Sequence, residues 1–359
     1  MKKALKIVVL TNSLDGAKGG WARYSKEVAS GLSNLGVELH VFSEDNSDSG
    51  YRLVSYPSIL GKMLALIVNN LRIKRKVPDF DFAHAFTEPN IFLAWFLGRP
   101  YFLTLHGTYA LRLVAGLRGF FVKRILSQAQ KLIFISDFTK IKFQSVCPEF
   151  NNLIFIPNGV DIEKFKDNPN SKKNKTILTV GAIKSRKAQD FVVEAVMRLR
   201  TDFPELNYLI VGDSANDNFN NKLKDTVVIN NLPVQFKEKI SDEELVELYS
   251  EAMVTALPSR TDKGGSFEGF PLSLLEAASC GSPLIGSLGC GAEYIIKDGQ
   301  NGFLIREDDI EGLVGAVKYF LINPEASGNM GRESRLLAQG FSWENHSKKL
   351  INIYNERGF

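Results

Sequence analysis

Short apolar runs alternate with stretches of helical periodicity through the first half of the chain. The run KIVVLT (6–11) is followed by a glycine-rich turn, by apolar residues at helical spacing over 24–35, and by a second run at 37–42. Four further apolar runs lie at 80–86, 100–106, 131–136 and 152–157. Because β-branched and aromatic runs separated by helix-length stretches are typical of buried parallel strands, this half predicts a parallel α/β sheet.

The same alternation returns in the second half, after a polar stretch at 166–175 that we interpret as a linker. Apolar runs predict strands at 176–181, 207–212, 227–230, 234–236, 254–259, 282–287 and 302–305. Helical spacing predicts helices over 190–200, 242–252 and 309–322. We therefore expect two α/β domains, 1–165 and 176–340, which bind ligands beyond the carboxyl ends of their strands.

The composition fits this reading and argues against several classes of site. A length of 359 residues is too great for one ordinary core and suits two domains. The three cysteines form no CxxC pair, so neither a disulfide framework nor a structural metal site is expected. The first apolar run, Ile7–Leu10, is shorter than a signal peptide needs, and a cytoplasmic location is expected.

Charge is distributed unevenly along the chain. Residues 1–166 carry 22 Lys and Arg against 13 Asp and Glu, whereas residues 167–359 carry 22 against 27. Two basic, apolar-rich stretches, 59–76 and 111–126, suit amphipathic helices on an anionic membrane surface; core helices with a solvated basic face are the alternative. No nucleic-acid-binding module is recognisable, so nucleic acid is not expected as a partner.

The segment EGFPLSLLEAASCG, Glu268–Gly281, carries the strongest chemical signal. Pro271 suits the first position of a helix, and the free amides of that helix start form an anion site. The carboxylates of Glu268 and Glu276 suit hydroxyl-rich groups on either side of a diphosphate. A surface helix with two solvated glutamates is the alternative explanation of the same spacing.

Two loops after predicted strands could also contact an anion. The turn VGAIKSRK (180–187) contains Arg186 and Lys187, and its alternative reading is a solvated basic turn before a helix. Adjacent Gly19 and Gly20 would let the backbone approach a ligand closely. That loop is not a dinucleotide fingerprint, and a plain turn is its alternative.

Three polar side chains at predicted strand ends complete the set of candidates. His106 ends the run at 100–106, His84 lies near the end of the run at 80–86, and Asn158 follows the run at 152–157. Side chains at such positions face the ligand edge of a parallel sheet. A histidine there is alternatively a satisfied structural residue.

The segment Glu268–Gly281 resembles the Glu–seven residues–Glu signature of retaining GT-B glycosyltransferases of family 4 (glycosyl transferases group 1). GGWARYSKEVASGLSNLGVELHVF resembles that family's first loop, helix and second strand. Further strings follow in the family's order: TLHG, FISDFTK, IPNGVDIEKF, TVGAIKSRKAQDFVVEA, YLIVGDS, SDEELVELYSEA and DGQNGFLI. The resemblance implies two Rossmann-like domains facing across a cleft, with a C-terminal helix in 341–359 packing back on the first domain.

The resemblance also implies roles at the donor side. Glu276 would bind the nucleotide's ribose hydroxyls, Glu268 the hydroxyls of the donor sugar, and Lys187 the diphosphate. The segment after Glu268 would face the sugar and diphosphate through Gly269, Phe270, Pro271 and Leu272. The family places an arginine at Ala182, so either Arg186 substitutes for it or the leaving group is stabilised less.

On the acceptor side, the resemblance places Gly19 and Gly20 between the donor diphosphate and the acceptor. His106 would position donor or acceptor, while His84 and Asn158 would line the acceptor. His106, Lys187 and Glu268 are thus the catalytic candidates.

The activity so implied is transfer of a sugar, from a UDP-linked donor and with retention, to a sugar or lipid-linked hydroxyl. No metal or other cofactor is expected. Synthesis of cell-surface polysaccharide or glycolipid at the inner face of a membrane is the implied setting. A sugar-nucleotide epimerase of the same fold and a non-catalytic nucleotide-sugar binder are the alternatives. A nicotinamide oxidoreductase is disfavoured because the glycine fingerprint is absent.

Overall fold

The computed structural model describes residues 5–45, 50–55, 58–116, 118–168, 171–214 and 217–356. The chain divides into two compact units: unit 1 is Met1–Gly159 with Trp343–Phe359, and unit 2 is Val160–Ser342. Each is built on its own parallel sheet, with helices between most successive strands. The predicted α/β class with two parallel sheets is confirmed.

Unit 1 contains a seven-stranded sheet in the order β3-β2-β1-β4-β5-β6-β7. Its strands are β1 (Lys6–Thr11), β2 (Glu38–Ser43), β3 (Tyr51–Arg52), β4 (Phe82–Ala85), β5 (Tyr101–Leu105), β6 (Lys131–Phe134) and β7 (Leu153–Phe155). All neighbouring strands are parallel, and β1 pairs with both β2 and β4. The order of the strands therefore reverses beside β1, which is where sheets of this kind bind ligands.

Six helices of unit 1 follow these strands: α1 (Gly20–Asn34), α2 (Ile59–Lys76), α3 (Ile91–Phe96), α4 (Thr108–Val114), α5 (Gly119–Gln128) and α6 (Asp137–Val146). Helix α1 buries Tyr24, Val28 and Leu32, which recur at helical spacing and so form one apolar face. Helices α2 and α6 are capped by Ser58 and Ser136, whose hydroxyls accept from the amides of Gly61 and Thr139.

Unit 2 contains a six-stranded parallel sheet in the order β10-β9-β8-β11-β12-β13. Its strands are β8 (Thr176–Val180), β9 (Asn207–Val211), β10 (Val234–Lys237), β11 (Val254–Leu257), β12 (Leu284–Ser287) and β13 (Gly302–Ile305). Its helices are α7 (Gln189–Leu199), α8 (Asn218–Ile229), α9 (Asp242–Glu251), α10 (Leu272–Ser279), α11 (Ile310–Ile322) and α12 (Pro324–Ala338).

The prediction of a strand at 227–230 is wrong, because these residues are the last turn of α8 and its C-cap. Asp217 caps that helix by accepting from the amide of Asn220 at 2.9 Å. Val227 is buried, whereas Val228 and Ile229 are exposed. A short β-branched run is ambiguous between strand and helix, and the helical spacing of Leu223 and Val227 decides it here.

The stretch predicted as a linker belongs to unit 2, so the boundary lies at 159/160, before position 165. The ring of Phe165 packs edge-on against Tyr249, with centroids 6.4 Å apart, and its carbonyl accepts from the hydroxyl of Ser279. Lys173 Nζ donates to Gly281 O at 3.1 Å. Because the stretch 166–175 has no apolar periodicity, hydropathy could not indicate that it packs on unit 2.

The C-terminal helix α13 (Trp343–Glu356) packs against α1 within unit 1. The two helices approach closely at Gly31 of α1, where a Cβ would lie 2.3 Å from Ser347 Oγ and would force that hydroxyl to move. Residues 357–359, which include the last part of the predicted 341–359 segment, lie outside the described residues. Unit 2 correspondingly extends to Ser342, two residues beyond the predicted end at 340.

Candidate functional site

The carboxylate of Glu268 pairs with two cationic side chains in unit 2. Its Oε2 atom accepts a hydrogen bond from Arg186 Nη1 at 2.6 Å and from Lys187 Nζ at 2.5 Å. The side chains of Glu268 and Lys187 are 10% and 13% exposed. Burial alone would raise the pKa of Glu268, but the charges of Lys187 and Arg186 outweigh it and lower that pKa to about 2. The cluster therefore keeps an excess of positive charge at neutral pH.

Arg260 fixes the turn that carries the two cations. This 3-10 turn, Ser185–Lys187, follows β8, and Arg260 follows the neighbouring strand β11. The Arg260 amide donates to Arg186 O at 2.9 Å, and its Nε donates to Ser185 O at 2.9 Å. Its Nη2 also donates to both carboxylate oxygens of Asp190, at 2.8 and 2.6 Å. Arg260 was not among the predicted site residues, although an arginine directly after a predicted strand was a usable signal.

Gly291 fixes the loop that carries Glu268. Its amide donates to Glu268 O at 3.0 Å. A Cβ at position 291 would lie only 1.9 Å from Gly269 O, a distance that no side chain tolerates. Glycine is therefore required at this approach, and nothing in the sequence pattern pointed to it.

Helix α10 begins one residue later than predicted, with Pro271 as its N-cap and Leu272 as its first residue. Phe270 and Pro271 are buried, and so is the backbone at Gly269. In the first turn of α10 the amides of Leu274 and Leu275 donate to Pro271 O, at 3.0 and 3.3 Å, which leaves those of Leu272 and Ser273 as candidate donors for an anion. The anion site at the start of this helix stays a prediction.

Glu276 lies inside α10 with a different environment from Glu268. Its Oε2 accepts from the hydroxyl of Tyr249 at 3.3 Å. Over the whole residue, backbone included, Glu268 is 8% exposed and Glu276 is 5% exposed. The alternative of a surface helix with two solvated glutamates is therefore wrong. Tyr249, on α9, is a second contact that sequence reasoning missed.

In unit 1, the glycine loop and His106 lie close together. Gly19 is the N-cap of α1 with φ +102°, a conformation that favours glycine, and Gly20 is the first helical residue. Trp21 follows, and its ring centroid is 6.0 Å from that of His106. Tyr24, one turn further on, meets the same imidazole edge-on at 4.7 Å. The structure thus brings three of the predicted residues to one end of the sheet.

His106 directly follows β5 and carries a neutral ring. Burial lowers the pKa of His106 to about 4, although a hydrogen bond to Phe86 O partly opposes this effect. Nε2 lies 2.7 Å from that carbonyl and so must carry the proton. Nδ1 of this tautomer is an acceptor. The ring can accept a proton or a hydrogen bond, but it cannot supply positive charge at neutral pH.

Glu88 is a buried carboxyl that sequence reasoning did not single out. Its Oε1 accepts from the amide of His106 at 2.6 Å, and its Oε2 finds no partner among the described residues. Burial raises the pKa of Glu88 to about 7, and the bond from His106 opposes part of that rise. Glu88 therefore fixes the backbone at the end of β5 through the amide of the candidate histidine itself.

The prediction that His84 lines the acceptor is not supported by its surroundings. His84 is fully buried in β4. Its Nδ1 lies 2.6 Å from Tyr354 Oη, and its Nε2 lies 3.0 Å from Thr104 Oγ1. Both ring nitrogens are occupied, so His84 joins α13 to the sheet and has none left for a substrate. His84 is therefore a structural histidine with both ring nitrogens hydrogen-bonded, which was the alternative explanation of its position.

Asn158 is also buried, at 2% exposed, but its environment differs from that of His84. Its Oδ1 finds no hydrogen-bond partner among the described residues. The carbonyl of the preceding Pro157 lies 2.7 Å from His346 Nδ1 on α13. The backbone next to Asn158 is therefore fixed through Pro157, while Oδ1 of Asn158 has no donor among the described residues.

Within the described ranges, no group of three His, Cys, Asp or Glu side chains is arranged to hold a metal ion. No helix in that part of the chain is long and apolar enough to cross a bilayer. Cys147, Cys280 and Cys290 are buried free thiols.

Comparison with known proteins identifies the family. The model of "Glycosyltransferase Family 4" matches residues 18–164, and the model of "Glycosyl transferases group 1" matches residues 160–337. The two matches run in succession over both units. The chain belongs to glycosyltransferase family 4. It is thus a glycosyltransferase of GT-B type, as the ordered motifs predicted.

Individual relatives of this family 4 chain are distant. A GDP-mannose-dependent alpha-(1-6)-phosphatidylinositol monomannoside mannosyltransferase from Mycolicibacterium smegmatis is 26% identical over 98% of both chains. Sucrose-phosphate synthase from Thermosynechococcus elongatus superposes with a TM-score of 0.80 at 20% identity over 98% of both chains. HepE from Anabaena, in complex with UDP and glucose, superposes with a TM-score of 0.83 at 17% identity over 98% of this chain and 100% of that one. These two structural likenesses show the fold.

Proposed function

We propose that the protein moves a sugar from a UDP-linked donor to a hydroxyl of a sugar or lipid-linked acceptor. We further propose retention of anomeric configuration, independence of metal ions, and a role in cell-surface polysaccharide or glycolipid synthesis. The convergence of Arg186, Lys187 and Glu268 near the start of α10 carries this proposal. Two cations and a helix N-terminus together suit a diphosphate, and a carboxylate among them suits sugar hydroxyls.

Donor binding exchanges partners within this cluster. A diphosphate brings two or more negative charges to Arg186 and Lys187, which are held here by a single carboxylate oxygen. As the phosphates take up the cations, Glu268 is freed to accept hydrogen bonds from the hydroxyls of the donor sugar. We also propose that Glu276, within α10, accepts hydrogen bonds from the ribose hydroxyls. These bonds would compete with the one that the hydroxyl of Tyr249 donates to Glu276.

The chemical step is loss of the nucleoside diphosphate as the acceptor oxygen bonds to the anomeric carbon. Negative charge grows on the leaving phosphate, where Lys187, Arg186 and the amides of α10 stabilise it. Retention follows if the acceptor hydroxyl attacks on the face that the diphosphate leaves, with the phosphate taking the proton. We assign no side chain as a covalent nucleophile.

In unit 1, we assign His106 to positioning a hydroxyl of donor or acceptor. Its neutral ring presents Nδ1 as an acceptor, while Nε2 is held by Phe86 O. The backbone at Gly19 and Gly20 is proposed to allow close approach of substrate to the start of α1. Asn158, with its unused buried Oδ1, remains a proposed acceptor contact.

The donor nucleotide has a second candidate, GDP-mannose. It is favoured by the relative from Mycolicibacterium smegmatis, which is named as GDP-mannose-dependent and is 26% identical to this chain. UDP is favoured by HepE, whose structure holds UDP and glucose, at 17% identity. The cation cluster contacts the diphosphate that both donors share, so it does not discriminate between them.

A reducing, cytoplasmic setting is part of the proposal. Cys147, Cys280 and Cys290 are all buried and free. Free thiols persist where disulfides are not formed.

The deciding experiment measures nucleotide release from a panel of donors. The purified chain is incubated with UDP-glucose, UDP-galactose, UDP-N-acetylglucosamine or GDP-mannose, each with sugar and lipid-linked acceptors and with EDTA. Product anomeric configuration is read by NMR. Lys187→Ala is the test variant, and Lys184→Ala, an exposed lysine in the same loop, is the matched control.

Each outcome has a clear meaning. Release that needs an acceptor and is lost only in Lys187→Ala supports a transferase. Release of nucleotide or interconversion of the sugar without acceptor identifies the epimerase alternative. Donor binding without turnover across the panel identifies a non-catalytic binder. Inverted product, or loss of activity in EDTA that added metal restores, overturns the corresponding part of the proposal.

A further inference from the structure

A stripe of large apolar side chains covers the outward face of α2 in unit 1. Its members are between 48% and 79% exposed. They recur at the spacing of one helix face: Leu60, Met63, Leu64, Ile67 and Leu71. The opposite face of the helix, with Ala65 and Ile73, is buried on the sheet. Helix α2 thus has a buried inner face and an exposed outer apolar face that no described part of the chain covers.

The apolar surface continues over two neighbouring helices. Helix α3 packs against both α2 and α5. Asn70 of α2 donates to Phe96 O at the end of α3, at 2.7 Å. Trp95 of α3 meets the ring of Phe121 on α5, with centroids 5.9 Å apart. Phe120 and Phe121 are 82% and 51% exposed, so the three helices form one surface, which we call the α2–α5 face.

The charge of this face has one sign. Its three helices, α2, α3 and α5, contain seven Lys or Arg and no Asp or Glu. Lys74 and Arg75 follow Leu71 by three and four positions, which places them on the apolar stripe where α2 ends. The nearby carboxylate of Glu149 pairs with Lys123 at 3.1 Å. A partner for this face therefore combines an apolar layer with negative charge.

We propose that the α2–α5 face docks the protein on an anionic lipid bilayer. The apolar stripe enters the boundary between headgroups and acyl chains, and the Lys and Arg side chains contact lipid phosphates. A second copy of the chain fits less well, because isologous pairing sets each cluster of positive charge against its own copy. This docking does not depend on the identity of the donor, so it can fail while the proposed transfer holds.

The test is flotation of the full chain with vesicles. One set is phosphatidylcholine alone, and the other contains 30% phosphatidylglycerol. Binding is expected to the anionic set, with a partition coefficient that falls as salt is raised. Lys74→Gln/Arg75→Gln should weaken it about 25-fold, since each basic residue near the surface contributes roughly fivefold. Leu64→Ser/Ile67→Ser should weaken it at all salt concentrations.

Matched controls are taken from unit 2. Val228→Ser/Ile229→Ser removes two apolar side chains that are more exposed than Leu64 and Ile67, and Lys222→Gln/Lys318→Gln removes two exposed charges. Both should bind like the parent chain. All substituted positions are on the surface, so thermal unfolding is expected to be unchanged and serves as the check on folding.

Three results overturn the proposal. The first is absence of binding to anionic vesicles at low salt. The second is equal binding to both vesicle sets, unaffected by Lys74→Gln/Arg75→Gln. The third is a dimer in light scattering that becomes a monomer in Leu64→Ser/Ile67→Ser, when neither the parent chain nor this variant binds vesicles. That result would assign the face to a second copy of the chain.

Discussion

The ammonium of Lys187 donates to Glu268 Oε2 at 2.5 Å, across 81 positions of sequence. The same oxygen accepts from Arg186, so one carboxylate atom neutralises two cations incompletely. Such a pair is poised for exchange, because a multivalent anion offers both cations more acceptors than Glu268 does. Under the proposed function, this arrangement would let the diphosphate of the donor take both cations from Glu268.

Loss of the Lys187 ammonium should therefore affect chemistry more than folding. Lys187→Ala is expected to lower kcat/KM by about 100- to 1000-fold, the usual loss when one preorganised donor to developing charge is removed. Arg186→Ala should have an effect of the same kind, and the double variant should lose less than the product of the two, because both share Glu268 Oε2. Steady-state kinetics of the four proteins measure this. Full additivity would mean that the two cations act at separate places.

Glu268→Gln separates the two roles of the carboxylate. The amide keeps the size of the side chain but no longer competes with phosphate for Arg186 and Lys187. Free nucleoside diphosphate is expected to bind several-fold more tightly, whereas transfer should fall by at least 10-fold because the sugar hydroxyls lose a charged acceptor. Calorimetric titration and kinetics of the same variant measure the two effects. Weaker nucleotide binding would contradict the partner exchange.

Much of the fold was accessible from the sequence, because parallel strands buried on both faces leave continuous apolar runs. The runs at 6–11 and 302–305 match β1 and β13 residue for residue. The failure at 227–230 has a physical cause: Val and Ile fit the end of a helix whose spacing was set by Leu223 and by the Asp217 cap. Local composition alone could not weigh those effects.

The candidate site was predictable where chemistry depends on residue type and not where it depends on packing. Glu268 and Lys187 carry charges that a motif reveals. Gly291 matters because of a backbone approach to Gly269, and Arg260 because of a clamp on a distant turn. His84 shows the converse, since its position at a strand end resembled a functional one until its partner Tyr354, 270 positions away, was placed beside it.

Gly291→Ala should disturb the Glu268 loop. The added methyl group would lie 1.9 Å from Gly269 O, so the loop or the turn at 291 must move. Activity is expected to fall at least 10-fold, with a rise in KM for the donor. Gly315→Ala is the matched control: nothing lies within 4 Å of its Cβ in α11, and it should stabilise by about 0.5–1 kcal/mol. Parent-like kinetics of Gly291→Ala would show that the loop tolerates the shift.

Unit 1 should lose stability as the pH falls from about 6.5 towards 4.5. Burial lowers the pKa of His84 to about 3 and of His106 and His346 to about 4. In this window the unfolded chain binds protons on these rings and the folded chain does not, so acid favours unfolding. Glu88 acts in the opposite direction, because its pKa is raised to about 7 and the folded chain binds that proton. The net uptake on unfolding is about two protons, or about 3 kcal/mol per pH unit.

Urea unfolding followed by the near-ultraviolet signal of the unit 1 aromatics, at pH 4.5 to 7.5, measures this slope. His84→Phe fits the aromatic surroundings of Phe86 and Tyr354 and removes one of the three titrating rings. It should be less stable at pH 7.5, because Tyr354 and Thr104 lose a partner. Its stability should also fall less steeply below pH 6.5, by about 1.4 kcal/mol per pH unit. An unchanged slope would mean that His84 is protonated in the folded chain, contrary to its burial between two hydroxyl groups.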